Sequence, residues 1–195
     1  YRFANGTGLV VARTFIDSGG HYTKEVYRYC RENMHKNRFA IKGMSGAGLP
    51  VIHKISKVAE YGIPLILLGV DSGKQYVMDR LSIEEAGPKY FHFPEDGEAA
   101  ANVPEALLMR GYDRFYFKGL IAEQLVPRVK NGRRVMVWEN VSQDKRNEPL
   151  DLRVYNLACL HSINPDWNAY KRIILGTKQE EASVKSAVEQ PKKAY

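Results

Sequence analysis

Apolar residues recur along this chain with two alternating periods, about 2 and about 3.6 residues, and the alternation predicts strands and helices in turn. Leu9 to Ile16 (LVVARTFI) is apolar and β-branched and stops at Asp17-Ser18-Gly19-Gly20, which predicts a strand running into a turn. From Tyr22 to Met34, the residues Val26, Tyr29, Cys30 and Met34 recur at helical spacing between Lys24, Arg28, Arg31 and Glu32, the pattern of an amphipathic helix. Arg38 to Lys42 alternates as a strand and stops at a Gly-rich loop over 43–48; a short helix is expected over about 52–61. Pro64 opens the most apolar run, Leu65 to Val70, expected as a strand covered on both faces, and residues 74–81 suit a helix leaving it.

Beyond that point the pattern predicts an irregular strand over 87–94, helices over 103–110 and 113–126 broken by Gly111, and a strand over 133–139. A last helix over 149–161 carries Leu152, Tyr155, Ala158 and Cys159 on one face, with Pro149 in its first turn. Residues 177–195 mix small, charged and polar types and read as a flexible or weakly helical tail. The expected organisation is therefore one α/β domain over 1–176, helices layered on a single sheet, and a tail over 177–195.

Composition narrows the class. With 195 residues, 44% of them hydrophobic, the chain can bury a core, which excludes wholesale disorder. No apolar run approaches the ~20 residues of a spanning helix, and no charged-then-apolar leader precedes Tyr1, so neither membrane insertion nor secretion is expected. Two cysteines, Cys30 and Cys159, are too few for a disulfide framework or a zinc site and are expected as reduced packing residues. The formal charge of +7 lies wholly within residues 1–57, the remainder being balanced. Such an excess suits a polyanion, because Lys and Arg release condensed counterions from phosphates, and equally suits a solvated basic face.

The candidate chemistry sits at strand ends, where ligands of open α/β sheets bind. Asp17 and Asp71 each follow an apolar run and each precede Ser-Gly, in FIDSGG and GVDSGK. Either aspartate serves as a turn residue that caps its own backbone, or the two share a site. Two carboxylates in one cleft repel unless one is protonated or a hard divalent cation such as Mg²⁺ lies between them. Asp151, in the first turn of the last helix, is either ordinary helix-start stabilisation or a third ligand. Three such aspartates could hold two ions about 4 Å apart, as phosphodiester hydrolysis requires. His21, Lys42, Lys74 and Arg146 are candidates for DNA or phosphate contact, as are Arg13 and Arg38 beside the predicted strands. The aromatic cluster Tyr112, Phe115, Tyr116 and Phe117 reads as packing rather than a base-stacking platform.

The series FIDSGGH (15–21), LLGVDSGK (67–74), YFHFP (90–94), FKGLIAEQLV (117–126), VWE (137–139) and RNEPLDLRVYNLACL (146–160) resembles the nuclease domain of lambda-type phage terminase large subunits. The resemblance implies a ribonuclease H-like mixed central sheet flanked by helices. It implies an endonuclease that uses Mg²⁺ or Mn²⁺, two ions in all, to cut concatemeric double-stranded DNA during viral genome packaging in the host cell cytoplasm. By that similarity the metal ligands fall on Asp17, Asp71 and Asp151. Family partners are viral DNA, the terminase small subunit and the portal of the procapsid, the last engaged by a distal tail, here 177–195. The family's packaging ATPase carries a Gly-x-x-x-x-Gly-Lys-Ser/Thr loop, which is not found in these residues, so the resemblance is to the nuclease half of a two-part motor. Two other readings remain: an actin- or sugar-kinase-like ATP-binding domain, which also places Asp-x-Gly turns after strands, and a non-catalytic DNA-clamping or capsid-docking module.

Overall fold

A computed structural model describes residues 10–93, 112, 114–141 and 146–169. The expected helix over 103–110 and the tail over 177–195 lie outside these residues. The chain divides into two compact units, Tyr1–Ile163 and Asn164–Tyr195. In the second, the Asp166 carboxylate accepts hydrogen bonds from the Asn168 and Ala169 N–H groups at 2.9 and 3.0 Å, a helix-start cap.

The first unit is built on a four-stranded mixed sheet. Strands β1 (Thr14–Asp17), β2 (Arg38–Met44) and β4 (Ile63–Gly69) are parallel, β3 (Ile52–Val58) runs antiparallel to β4, and the order is β1-β2-β4-β3. Period-two alternation sends successive side chains to opposite faces. Ile16, Ala40, Ile63 and Leu65 meet Val26, Tyr27 and Cys30 of helix α1 (Thr23–Glu32) on one face. Phe15, Ile41, Ile66 and Leu68 meet Ala158 and Tyr155 of helix α4 (Glu148–Ile163) on the other. The inner strands are consequently apolar on both sides; Ala40, Ile41 and Leu68 are wholly buried. A third layer forms where α2 (Val70–Leu81) and α3 (Arg114–Leu120) pack on α4 through Val77, Leu120, Leu150, Val154 and Leu157. This mixed α/β architecture, a mixed central sheet flanked by helices, is compatible with a ribonuclease H-like fold.

Several local expectations change. The segment expected as a helix over 52–61 is strand β3; a register shift between Ile52 and Lys54 interrupts its alternation and leaves apolar residues at helix-like spacing. The helix expected over 113–126 ends at Leu120, and Glu123–Lys130 forms β5, paired residue for residue with β6 (Arg133–Asn140). Pro127 lacks an N–H to donate, which an exposed two-stranded ribbon tolerates. The helix leaving β4 begins at Val70, not at Lys74. Residues 87–93 take no regular strand. On α1, Tyr27 rather than Tyr29 joins the core, and Met34 falls beyond the helix in a short 3₁₀ turn, Met34–Lys36. On α4, Leu150, Val154 and Leu157 are buried and Leu152 is exposed, because the helix is wedged between two apolar layers and has no single buried face. Phe93 centres a ring cluster with Tyr112, Tyr116 and Phe117, as packing predicts, whereas Phe115 is exposed. Both cysteines are free; Cys30 is buried and Cys159 partly so. Among the described residues no helix is long and apolar enough to cross a membrane.

The close approach of α2 to α4 depends on Gly73, where a β-carbon would lie 2.5 Å from Cγ1 of Val154. Val154 is β-branched and fully buried, so it has no free rotamer to yield. Gly73→Ala is expected to destabilise the protein by about 2 kcal/mol through overpacking. Combined with Val154→Ala, it should cost less than the sum of the single changes. Urea denaturation of the four-member cycle measures both; strict additivity would show that the two residues do not collide.

Candidate functional site

The parallel strands β1, β2 and β4 end at the same edge of the sheet, and the sequence-predicted acids collect there. Asp17 is the last residue of β1. Its Oδ1 accepts the Gly19 N–H at 2.9 Å, which turns the chain, and Ser18 anchors the turn by donating its hydroxyl to the Ile41 carbonyl at 2.7 Å. The remaining carboxylate oxygen of Asp17 accepts a hydrogen bond from the Tyr155 hydroxyl at 3.2 Å. Tyr155 stands one helical turn after Asp151 on α4, so one helix face carries both groups. Burial, reinforced by the negative charges of Asp17 and Asp151, holds the Tyr155 hydroxyl protonated far above the ordinary tyrosine range.

Asp71 lies in the first turn of α2 rather than in an open turn after β4. The helix dipole favours an acid there, and its carboxylate accepts the Gly46 N–H at 2.8 Å from the loop after β2. Lys74 follows one turn later on the same helix face. Instead of a solvated lysine, it is a buried cation: its Nζ lies 2.5 Å from Oε2 of Glu123 and 3.5 Å from Oδ1 of Asp151. Asn147 completes the network by donating its side-chain amide to Glu123, and to Asp151 at 3.3 Å. Burial raises the Asp151 pKa above the usual carboxylate range; Lys74 opposes that shift, while Glu123 and Asp17 reinforce it.

Glu123, Asn147 and Tyr155 are thus site residues that the strand-end pattern did not single out. Glu123 was hidden by the helix expected over 113–126; an isolated acid after two apolar residues, Ile121 and Ala122, was its only signal. A cleft of about 310 Å³ opens beside this network, lined by Asp71, Lys74 and Glu123 on one side and by Lys130 and Trp138 of the β5–β6 hairpin on another. Of the remaining candidates, His21, Lys42 and Arg146 are exposed. Arg13 is committed internally, donating to the Ser162 carbonyl and hydroxyl at 2.7 Å each, and Arg38 stacks on Tyr29.

The donors are oxygens, as a hard divalent cation requires, but their grouping is not a closed cage. Among the described residues no three His, Cys, Asp or Glu side chains converge closely enough to hold one ion between them. The set therefore fits a cation of the Mg²⁺ kind, carried on one or two carboxylates with retained waters and substrate oxygens, rather than a three-carboxylate site.

Removing one member of a buried pair strands the other. Glu123→Ala is expected to cost about 3 kcal/mol, at the low end for such pairs because Asp151 still faces the ammonium. Lys74→Ala, which strands both Glu123 and Asp151, should cost more. Chemical denaturation reads both values, and an unchanged midpoint for Glu123→Ala would show that the pair carries no structural weight.

Residues 1–171 match the family model "Terminase large subunit gpA, endonuclease domain". The chain is 27% identical over 188 residues to the terminase large subunit of Enterobacteria phage P21 and 29% identical over 185 residues to that of Escherichia phage lambda. These alignments cover 94% and 93% of this chain but 27% of each relative, so the chain spans about a quarter of their length. No solved structure matches. With the family model matching most of its length, the chain belongs to the endonuclease-domain family of the phage terminase large subunit gpA.

Proposed function

We propose that this domain is a divalent-metal-dependent endonuclease that cuts both strands of concatemeric viral DNA during genome packaging in the host cytoplasm. In this reading the full-length protein works with the terminase small subunit and with the portal of the procapsid. The observation that supports the reading is the placement of Asp17, Asp71 and Asp151, from β1, α2 and α4, toward one end of the parallel strands, with Tyr155 bonded to Asp17 and Lys74 paired with Asp151.

Asp17, Asp71 and Asp151 would divide the metal binding among them, one or two carboxylates to an ion, with a pair of ions in the two-metal form of the reaction. When bound, Mg²⁺ or Mn²⁺ supplies charge stabilisation to the oxygens exchanged in a phosphodiester displacement. The protein's own groups prepare that arrangement. Tyr155 donates to one oxygen of Asp17, the Gly19 N–H occupies the other, and together they fix the plane of the carboxylate. The Gly46 N–H does the same for Asp71. Desolvation of Asp151 makes its ionised form costly unless positive charge is close, and Lys74 provides such charge in the protein alone. A kinase-like reading gives no role to Asp151, whereas a nuclease reading uses it as a ligand with Lys74 beside it. Contacts to phosphates position DNA without reading bases, so cutting by the isolated domain should show little sequence preference.

Asp17→Asn and Asp151→Asn are each expected to abolish plasmid nicking in Mg²⁺ or Mn²⁺, by at least about 100-fold, while circular dichroism and thermal midpoint stay near those of the parent. Full activity in either variant would exclude that residue as an essential ligand. Absence of cleavage by the parent with either metal, accompanied by ATP hydrolysis, would overturn the nuclease reading altogether. Tyr155→Phe acts one shell out: it should raise the metal concentration needed for half-maximal cleavage by roughly 10-fold, the usual scale for lost ligand support. An unchanged metal titration would show that the hydroxyl does not orient Asp17.

A further inference from the structure

The β5–β6 hairpin stands apart from the rest of the fold. It forms its own two-stranded sheet, hydrogen-bonded to no strand of the central sheet among the described residues. Eight residue pairs make a ribbon about 25 Å long, and along β5 only its first residue, Glu123, is buried. The tip is a two-residue turn, Asn131-Gly132, with φ of 51° and 73°. Both values lie in the left-handed region, the geometry whose twist matches that of paired strands. The register fixes which side chains share a face: Lys130 lies directly opposite Arg133, and the next pair, Val129 with Arg134, points the other way.

Two features of that tip are unfavourable for the protein alone. Like charges directly opposite one another destabilise a ribbon, and Lys130 with Arg133 is such a pair. Arg128, lower on the ribbon, is matched by Glu139 at 2.6 Å, and the same carboxylate feels the charge of Lys130 from beyond ion-pair distance, whereas no described carboxylate makes an ion pair with Lys130, Arg133 or Arg134. A local rule is broken at the tip and kept below it, which is the usual mark of a functional surface.

We propose that the β5–β6 hairpin is an arm that grips duplex DNA beside the acidic site, with Lys130, Arg133 and Arg134 on its phosphates. Cations on both faces of a narrow ribbon suit a groove walled by phosphates on two sides, and the major groove admits a two-stranded ribbon. Phosphates on either side would also relieve the repulsion between Lys130 and Arg133. The position is apt: Lys130 and Trp138 line the same cleft as Asp71, Lys74 and Glu123, so DNA held by the arm passes the acids. The arm deepens the nuclease reading, whose substrate it would hold, but its own ligand is defined by charge and shape alone.

The test measures binding without cleavage. The 195-residue chain is titrated against a fluorescent 30-base-pair duplex in EDTA at several salt concentrations. Lys130→Gln, Arg133→Gln and Arg134→Gln combined should weaken binding about tenfold or more and flatten the log–log salt dependence by roughly 2 to 3 units, near one per lost phosphate contact. The thermal midpoint should hold or rise, since the repelling pair is gone; the loss of affinity then cannot be ascribed to misfolding. Should the triple variant unfold, Arg133→Gln and Arg134→Gln singly decide, each flattening the slope by about one unit. Unchanged affinity and slope in the variants would overturn the arm. So would a variant whose only change, by sedimentation, is its self-association, since the ribbon would then meet a second copy of the chain. Because no metal is present, a parent that binds through the tip yet never cuts in Mg²⁺ or Mn²⁺ would keep the arm and sink the nuclease reading.

Discussion

A buried ammonium must be neutralised where it lies, and that requirement at Lys74 organises the site. The positive charge arrives on α2, one of its partners opens β5 and the other begins α4, so three elements distant in sequence are held to hydrogen-bonding distances. Desolvation makes each member costly alone, and the geometry is consequently stiff: none can swing away without leaving an unpaired charge behind. Asn147 extends the constraint by bridging Glu123 and Asp151. The root of the hairpin is pinned by the same pair that neutralises the lysine, which keeps an otherwise free-standing ribbon aimed at the cleft.

The scaffold around this network is what period-two and period-3.6 patterning can specify. Strands β1, β2 and β4 were legible because their apolar runs are short, β-branched and closed by turn residues. Helix α1 makes β1 and β2 parallel, whereas β2 and β4 are parallel because β3 carries the chain back between them. Asp17 and Asp71 were legible for the same reason, as acids placed where a strand stops. What the pattern concealed has physical causes. The irregular register of β3 imitated helical spacing. Helix α4 is covered on two sides, so its apolar residues mark no single face, and a face drawn through Leu152 was misplaced. Glu123 and Asn147 are meaningful only beside Lys74, a long-range pairing that no local spacing encodes.

The two halves of the site differ in mechanical character. On the sheet side, Asp17 is locked by a turn whose serine is tied to β2 and by a tyrosine from α4. On the hairpin side, most residues face solvent and the ribbon contributes little to the core. A rigid acidic floor beneath a projecting, positively tipped wall suits a ligand that is long and thin and must slide through before being held. Arg13, despite its place in the basic first third of the chain, belongs to the floor, since it ties the start of β1 to the end of α4 through Ser162.

That tie has a consequence for the order of events during synthesis. Within this domain Asp17 precedes Tyr155, which orients it, by 138 residues, and Asp151 is made only shortly before Tyr155. Helix α4, apolar on two sides, has nowhere to dock until the sheet and α2 exist. An emerging chain therefore carries strands, a basic surface and single acids, yet no assembled site. Whatever this site does to nucleic acid begins only when the domain is nearly finished, a delay written into its topology rather than imposed by an inhibitor.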